Sequence, residues 1–255
     1  MAGLSRRFTE AGYDLPKYML QAHGRSLFAH AVQSFAAYFT TVPFLFILRD
    51  VANTHAFVET ECRRLGVRNA AFVTLDAPTR GQAETVAMGL AAHGSAAEAP
   101  VTIFNIDTFR PGFRFPTTWD LGAVDGYLEV FRGSGANWSY VRPAGGGDHR
   151  VAETTEKVPI SDLCCTGLYH FRTAKLFGRA YTHLVDGGGA AAGLKELYVA
   201  PMYNNLIQQG CDIRYQVIGT DEVIFCGVPA EYLAFLAAPR GHPPAGADAG
   251  GSASG

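Results

Sequence analysis

The stretch FLFILRDVANTHAFVETECRRLGVRNAAFVTL, residues 44–75, decides the fold. Residues 44–48 are all apolar and end at Arg49, which is typical of a buried strand. Residues 55–65 place apolar side chains at helical spacing and stop at Gly66, and residues 70–75 form a second apolar run. A strand, a helix and a further strand in direct succession predict a parallel βαβ unit.

The same rhythm continues towards the C-terminus and then changes. A helix over 82–93 and a strand over 101–106 extend the alternation. Glycine-rich turns then separate strand-like runs, which we expect to join the sheet antiparallel, at 126–131, 138–141, 150–155 and 164–171. Helices at 172–184 and 194–209 and strands at 214–218 and 223–226 follow. The whole pattern predicts an α/β protein with a Rossmann-like three-layer mixed sheet.

Composition restricts the classes of function that remain. Of the 255 residues 48% are hydrophobic, so we expect one domain over 1–237, followed by a disordered Gly/Ala/Pro/Ser tail over 238–255. The formal net charge of -2 argues against a nucleic-acid partner. No apolar run approaches the ~20 residues of a membrane span, which favours a cytoplasmic protein without a membrane partner. Five cysteines without CxxC spacing predict reduced, mostly buried thiols.

Three clusters carry residue types that suit phosphate chemistry. The opening segment, residues 1–17, is a small-residue turn with Arg7 and, after a polar loop, Lys17; exposed amides and fixed cations of this kind bind anions. Gly81 and Gln82 form a turn between a predicted strand and helix, where an amide can read a base edge. Asp107 follows the strand 101–106, and a carboxylate there is suited to Mg²⁺ beside phosphates.

Each of these residues also has an ordinary structural interpretation. Arg7 and Lys17 taken singly are typical solvated charges, Gln82 is a common helix N-terminal residue, and Asp107 is a common turn cap. The order of all three clusters along one βαβ framework is what favours a shared site at the carboxyl ends of the strands.

The opening segment resembles the signature of the sugar-nucleotide pyrophosphorylase-type nucleotidyltransferases. Ala2, Gly3 and Leu4 match the loop that binds the nucleotide, and the following Arg-Phe pair makes Arg7 the matching arginine. Lys17 matches the lysine of the Pro-Lys pair. The resemblance runs from residue 2 to about 235, and it implies a GT-A-like nucleotidyltransferase fold.

The resemblance also implies roles for residues further along the chain. Arg7 and Lys17 would hold the triphosphate and the incoming phosphate, and Gly81 and Gln82 would contact the base. Asp107 would bind Mg²⁺. The remaining matches lie on the acceptor side, where Glu156 would bind polar groups, Lys157 the acceptor phosphate, and Gly167 would pack against the acceptor.

The sequence departs from the family pattern at three places. Ser5 replaces a glycine of the opening loop, and Cys226 stands near the place of a second metal carboxylate, for which Asp221 is a weak substitute. Family members place an apolar strand ending in Pro directly before this Met. The first strand of the sheet is therefore apparently missing, and we predict that the natural start lies upstream.

These features favour an Mg²⁺-dependent enzyme that joins an NTP to a phosphorylated acceptor and releases pyrophosphate, for capsule or other surface-polysaccharide precursors. A GT-A glycosyltransferase and a non-catalytic nucleotide-binding protein remain alternatives, and a homo-oligomer stays open. Aromatic residues of the second half line an acceptor pocket or belong to the core: Trp138, Tyr140, Tyr169 and Tyr203. No convincing Ser-His-Asp or Cys-His set is present, which suits a reaction whose nucleophile is an already ionised phosphate.

Overall fold

The computed structural model describes residue 1, residues 6–187 and residues 196–239. The helices of these parts are α1 (Arg6–Glu10), α2 (Leu27–Gln33), α3 (Thr54–Leu65), α4 (Gln82–His93), α5 (Ala174–Val185), α6 (Tyr203–Gln208) and α7 (Pro229–Ala237). The strands are β1 (Gln21–Ala22), β2 (Arg25–Ser26), β3 (Phe44–Leu48), β4 (Ala70–Thr74), β5 (Val101–Ile103), β6 (Thr108–Phe109), β7 (Gly126–Arg132), β8 (Ser139–Pro143), β9 (Val151–Glu156), β10 (Leu163–Phe171), β11 (Ile213–Ile218) and β12 (Ile224–Phe225).

Strands β3 and β4 form the βαβ unit that the sequence predicts. They pair in parallel from Phe44 opposite Ala70 to Leu48 opposite Thr74, and α3 connects them. Helix α3 ends where Gly66 adopts a φ of 82°, a left-handed conformation that favours glycine. The predicted strand–helix–strand order is therefore confirmed for this unit.

A second, six-stranded sheet is built around β10. One edge of β10 pairs antiparallel with β7, and the other pairs antiparallel with β5 at one end and β8 at the other. Strand β9 pairs with β8, whereas β11 joins β7 in parallel. All nine residues of β10 are buried, as expected for a central strand covered on both faces. The antiparallel additions predicted for the second half are confirmed, and the sheet is mixed.

The helical layer packs on one face of this sheet. Phe177 and Leu184 of α5 and Leu206 of α6 join Leu128 and Val130 of β7 in the largest hydrophobic core. Helix α5 begins after the N-cap residue Thr173, whose hydroxyl accepts a hydrogen bond from the Leu176 amide. This packing leaves the carboxyl end of β5 and the turn before α4 facing a common cleft.

Two predicted elements are wrong in their extent. The strand predicted over 101–106 ends at Ile103, because the chain then turns and Thr108–Phe109 pair with β12 instead. The helix predicted over 194–209 is absent from 196–199, where the Leu197 backbone bonds to another loop instead of to its own helical turn. Helical structure begins only with the short 3₁₀ turn Ala200–Met202.

Residues of β3 and of β5, which belong to different sheets, both line the cleft. Among the described residues no strand joins β3 to β5, so each strand pairs on one edge only. The ammonium group of Met1 donates a hydrogen bond to the Ile47 carbonyl of β3 at 2.6 Å. The expected additional strand upstream stays a prediction.

The remaining sequence expectations concern the tail, the membrane and the thiols. Residues 240–255 of the predicted tail lie outside the described residues. In the described ranges no helix has the length and apolar content to cross a membrane. The five cysteines are free thiols, and Cys211 alone among them is partly exposed, which confirms that they are mostly buried.

Candidate active site

A single cleft of about 2430 Å³ brings the predicted site residues together. Ala2, Gly3 and Leu4 lie outside the described residues. The other predicted residues, from distant parts of the chain, all line the cleft: Arg7, Lys17, Gly81, Gln82, Asp107, Glu156, Lys157 and Gly167. A shared cleft with both cationic and carboxylate groups can bind a phosphorylated ligand.

Lys17 and Asp107 form an ion pair on the cleft wall. The Nζ atom of Lys17 lies 2.5 Å from Oδ2 of Asp107, and their side chains are 19% and 25% exposed. Pro16 starts the 3₁₀ turn that carries Lys17, and Asp107 occupies the turn between β5 and β6. Burial raises the pKa of Asp107, but the charge and hydrogen bond of Lys17 outweigh burial and leave this pKa below its usual value.

Helix α1 places Arg7 at the cleft. The Arg7 side chain is exposed, whereas its neighbour Phe8 is only 1% exposed and packs edge-on against Tyr13. Phe8 also contacts Tyr232 of α7. Phe8 therefore anchors the short helix to the core, and Arg7 projects from this anchor with its guanidinium available for an anion.

The turn before α4 is tightly packed. A Cβ atom added to Gly81 would lie 2.5 Å from the Leu197 carbonyl oxygen, so only glycine fits there without a backbone shift. Gln82 donates from Nε2 to Oδ1 of Asn105 at 2.6 Å. Its carbonyl oxygen is not used in that bond, so the amide retains an acceptor for a ligand.

Gly167 supports the same hydrogen-bonded pair from β10. Its φ is 95°, and a Cβ atom there would lie 2.3 Å from Nδ2 of Asn105. The residue belongs to a bulge, since the register of β10 against β7 shifts between Cys165 and Tyr169. The glycine is needed because it lets the backbone approach the Asn105 side chain.

A buried ion pair holds this bulge in place. Arg110 donates from Nε and Nη2 to the two oxygens of Glu129 at 2.8 and 3.0 Å. The hydroxyl of Thr166 donates to the same carboxylate at 3.0 Å. Arg110 and Glu129 are 5% and 2% exposed, so the pair is satisfied by these contacts and not by water.

Glu156 is the last residue of β9, Lys157 follows it, and both line the cleft. The Ser139 hydroxyl donates to the Glu156 carboxylate, and burial raises the pKa of Glu156 against the opposing effects of Ser139 and Lys157. Lys157 has a φ of 61°, an uncommon conformation for a residue with a side chain. Its Nζ donates to the Tyr198 hydroxyl at 2.6 Å, and this hydrogen bond raises the pKa of Lys157.

Neither Cys226 nor Asp221 is placed to act as a second metal ligand at the cleft. Cys226 is fully buried in a hydrophobic cluster, burial raises the pKa of its thiol, and Asp221 does not line the cleft. Glu231 does line it, and its Oε2 accepts from the Gly227 and Val228 amides at 2.7 and 3.2 Å. Within the ranges described, no group of three or more His, Cys, Asp or Glu side chains could hold a metal.

Sequence reasoning missed Tyr198 and Glu231. Glu231 had a weak signal, since a glutamate in the first turn of a helix often caps that helix. Tyr198 had none, because its place depends on a non-helical segment. Of the four aromatics considered for an acceptor pocket, Tyr140 and Tyr203 belong to the core. Trp138 and Tyr169 line the cleft, and Tyr169, which is only 5% exposed, also belongs to the core.

Comparison with known proteins shows the family to which this chain belongs. A scan of protein-family models and a search of curated proteins found no match. Among solved structures, the nucleoside-diphosphate-sugar pyrophosphorylase from Vibrio cholerae RC9 is 51% identical, with 92% of this chain and 97% of that chain covered and a TM-score of 0.88.

More distant structures share the fold. The inositol-1-phosphate CTP transferase from T. maritima is 14% identical over 90% of this chain and 87% of its own, with a TM-score of 0.65. The CTP:phosphocholine cytidylyltransferase from Streptococcus pneumoniae is 14% identical over 92% and 94%, with a TM-score of 0.60. With the high identity to the Vibrio structure over nearly the whole of both chains, the resemblance seen in the sequence is confirmed: this chain belongs to the nucleoside-diphosphate-sugar pyrophosphorylase family of nucleotidyltransferases.

Proposed function

We propose that this protein transfers a nucleoside monophosphate from an NTP to a phosphorylated small molecule, such as a sugar 1-phosphate, and releases pyrophosphate. The observation that carries the proposal is the meeting of Arg7, Lys17 and Lys157 at one cleft with Asp107. Three cations suit two phosphorylated substrates, because both substrates bring negative charge to the point of reaction. Two of the similar structures name a phosphorylated acceptor, inositol 1-phosphate in one and phosphocholine in the other, and these acceptors share the phosphate group.

The reaction requires the protein to orient the substrates and to neutralise charge, and it does not require a general base. An oxygen of the acceptor phosphate attacks the α-phosphorus of the NTP, that P–O bond forms, and the bond to the β-phosphate breaks. Arg7 and Lys17 neutralise the charge that develops on the triphosphate. Lys157 holds the attacking phosphate, which is already ionised near neutral pH. The cleft orients both reactants, and this orientation lowers the entropic part of the barrier.

Asp107 is the residue that would hold Mg²⁺. Only Oδ2 of its carboxylate is bonded to Lys17, the pKa of the carboxyl is below its usual value, and a single carboxylate with phosphate oxygens suits this cation. When bound, Mg²⁺ would supply further neutralisation of phosphate charge. Glu231 lies at the same cleft, but its Oε2 already accepts two backbone hydrogen bonds.

The nucleotide and acceptor sides of the cleft differ in character. Gln82 offers a side-chain amide, which suits the edge of a planar base, whereas Glu156 and Trp138 offer a carboxylate and an aromatic face, which suit a polar acceptor. A role in surface-polysaccharide precursors rests on the acceptor and stays a prediction.

A panel assay tests this proposal. The purified protein is incubated with Mg²⁺, each of the four NTPs in turn, and sugar 1-phosphates, inositol phosphate or phosphocholine, and pyrophosphate is measured. We expect pyrophosphate with at least one pair. Nucleotide binding without pyrophosphate from any pair would contradict the proposal, and release of a nucleoside diphosphate from a nucleotide sugar would favour a glycosyltransferase.

Arg7→Ala is the matching variant of that assay. We expect its turnover to fall on the order of 10²-fold, because a cation at the triphosphate is lost. Arg63→Ala is the control, since Arg63 is an exposed arginine of α3 that forms an ion pair with Glu59 of the same helix. Equal rates in both variants would remove Arg7 from the proposed site.

A further inference from the structure

Residues 196–199, which we name the strap, connect the two sides of the cleft. The Leu197 amide donates to the Arg80 carbonyl at 2.8 Å, and the Leu197 carbonyl accepts from the Ala83 amide at 3.0 Å. These two hydrogen bonds bracket Gly81 and Gln82. The strap therefore fixes the backbone of the turn proposed to contact the base.

The next residue of the strap reaches the acceptor side. The Tyr198 hydroxyl accepts a hydrogen bond from Lys157, whose Nζ also lies 4.7 Å from the centre of the Tyr198 ring. Both contacts favour the charged lysine. Glu196, at the other side of Leu197, lies close enough to raise the pKa of Lys157 further.

The C-terminal end of the strap is firmly held. Val199 is 1% exposed and belongs to the largest core, and Leu197 packs against the same cluster. Val199 is therefore the fixed end of the strap, and Leu197, which is only partly buried, is the neighbour that can move with Tyr198. Gly81 makes this contact close, because its missing Cβ leaves room for the Leu197 backbone and for nothing else.

We infer that the strap makes the two substrate sites one mechanical unit, in which Tyr198 is a positioning residue that couples acceptor binding at Lys157 to the nucleotide turn 80–83. The inference rests on the proposed function for the identity of the two ligands. A lysine ammonium has three donors, so an acceptor phosphate can bind Lys157 while the hydrogen bond to Tyr198 is kept, and it then orders the group to which Tyr198 is bonded. Its arrival is then transmitted through Leu197 to the Ala83 amide, and by linkage a bound nucleotide raises the affinity for phosphate by the same factor.

Hydrogen–deuterium exchange of the whole protein tests the coupling, with inorganic phosphate as the probe. The amides of Leu197 and Ala83 form the two strap bonds and are the reporters. We expect saturating phosphate to slow their exchange by about fivefold or more, in the range of ordinary coupling energies. Tyr198→Phe, which keeps the ring and removes the hydroxyl, should lose most of this effect. Val158→Ala is the control, because Val158 adjoins Lys157 but is 57% exposed.

The possible outcomes distinguish a failure of the coupling through the strap from a failure of the proposed function. Equal phosphate effects in wild type and Tyr198→Phe, or no effect in a wild type that forms pyrophosphate, would overturn the coupling alone. A phosphate effect that Tyr198→Phe abolishes, in a protein that forms no pyrophosphate, would support the strap and contradict the proposed function. Gly81→Ala adds a second reading, since displacement of Leu197 should raise the KM for both substrates.

Discussion

Lys17 and Asp107 are 90 positions apart in the sequence, yet their side chains meet at 2.5 Å on the wall of the cleft. The pair joins the opening segment to the turn between β5 and β6. Each partner depends on the other, since the lysine lowers the pKa of the carboxyl and the carboxylate holds the ammonium at the cleft.

Lys17→Gln tests the catalytic importance of this pair. We expect turnover to fall on the order of 10²-fold or more, because a cation at the triphosphate is removed and the pKa of Asp107 rises without it. Initial rates of pyrophosphate formation at saturating substrates measure the effect. Lys175→Gln, at an exposed lysine of α5, should keep the wild-type rate. Wild-type turnover in Lys17→Gln would contradict the role given to the pair.

Gly167→Ala tests the bulge of β10. The new Cβ would lie 2.3 Å from Nδ2 of Asn105 in a left-handed backbone, and we expect a loss of about 1–3 kcal/mol in the free energy of unfolding. The KM for the nucleotide should also rise, because Asn105 holds Gln82.

Gly178→Ala is the matched control for the bulge. Gly178 lies in α5 with open space around its Cβ position, so alanine should stabilise the protein by about 0.5–1 kcal/mol. Denaturant unfolding of both variants measures the change in the free energy of unfolding, which should be a decrease for Gly167→Ala and an increase for Gly178→Ala. A loss of equal size at both glycines would show that the bulge has no special requirement.

Glu129→Gln tests the buried ion pair behind the bulge. We expect a loss of about 3–5 kcal/mol in the free energy of unfolding, because the buried Arg110 keeps its charge and loses the carboxylate that accepts two of its hydrogen bonds. The other carboxylate near Arg110 is that of Glu222, which lies 3.7 Å away and is 52% exposed. Asp162→Asn, which alters the exposed pair with Arg132, should change stability by less than about 1 kcal/mol. Chemical denaturation measures both, and similar losses in the two variants would contradict the importance of burial.

The buried side chain of His170 makes the stability of the protein depend on pH. Its side chain is 4% exposed, and burial lowers its pKa from 6.5 to about 4. Between these two values the unfolded chain binds a proton that the folded chain does not, so the free energy of unfolding decreases as the pH falls below 6.5. Near pH 4.5 the loss from this group is about 2–3 kcal/mol.

His170→Gln should flatten that dependence. Thermal unfolding at pH 7 and near pH 4.5 measures the difference, and the wild type should lose more stability on acidification than this variant. His93→Gln, at an exposed position of α4, serves as the control and should follow the wild type. Parallel pH profiles of wild type and His170→Gln would contradict the assignment.

Local patterns predict most of the fold because they are encoded within single elements. Helices α3 and α4 end at glycines that the sequence marks, and β3 appears with its predicted bounds because its apolar run is bounded by Pro43 and Arg49. The helix predicted over 194–209 was wrong at 196–199 for a tertiary reason. Leu197 satisfies its backbone groups on the turn at Arg80 and Ala83, and no pattern within the segment indicates that partner.

The candidate site, like the fold, has some features that the sequence predicts and others that depend on tertiary contacts. Arg7, Lys17 and Asp107 follow from motif order and Lys157 follows from the family resemblance. The structure brings the four residues to one cleft, and their roles stay proposals. The contacts that orient them do not follow from the sequence. Tyr198 reaches Lys157 only because the strap is extended, which is a property of the packed molecule.

Isotope tracing with the NTP and acceptor found in the panel assay tests the central claim most directly. NTP labelled on the α-phosphate and NTP labelled on the γ-phosphate are used in parallel reactions. The account predicts that the α label enters the conjugate with the acceptor, and that the γ label appears in pyrophosphate in equal amount. Release of the γ label as inorganic phosphate, or of the α label in free nucleotide without a conjugate, would contradict nucleotidyl transfer.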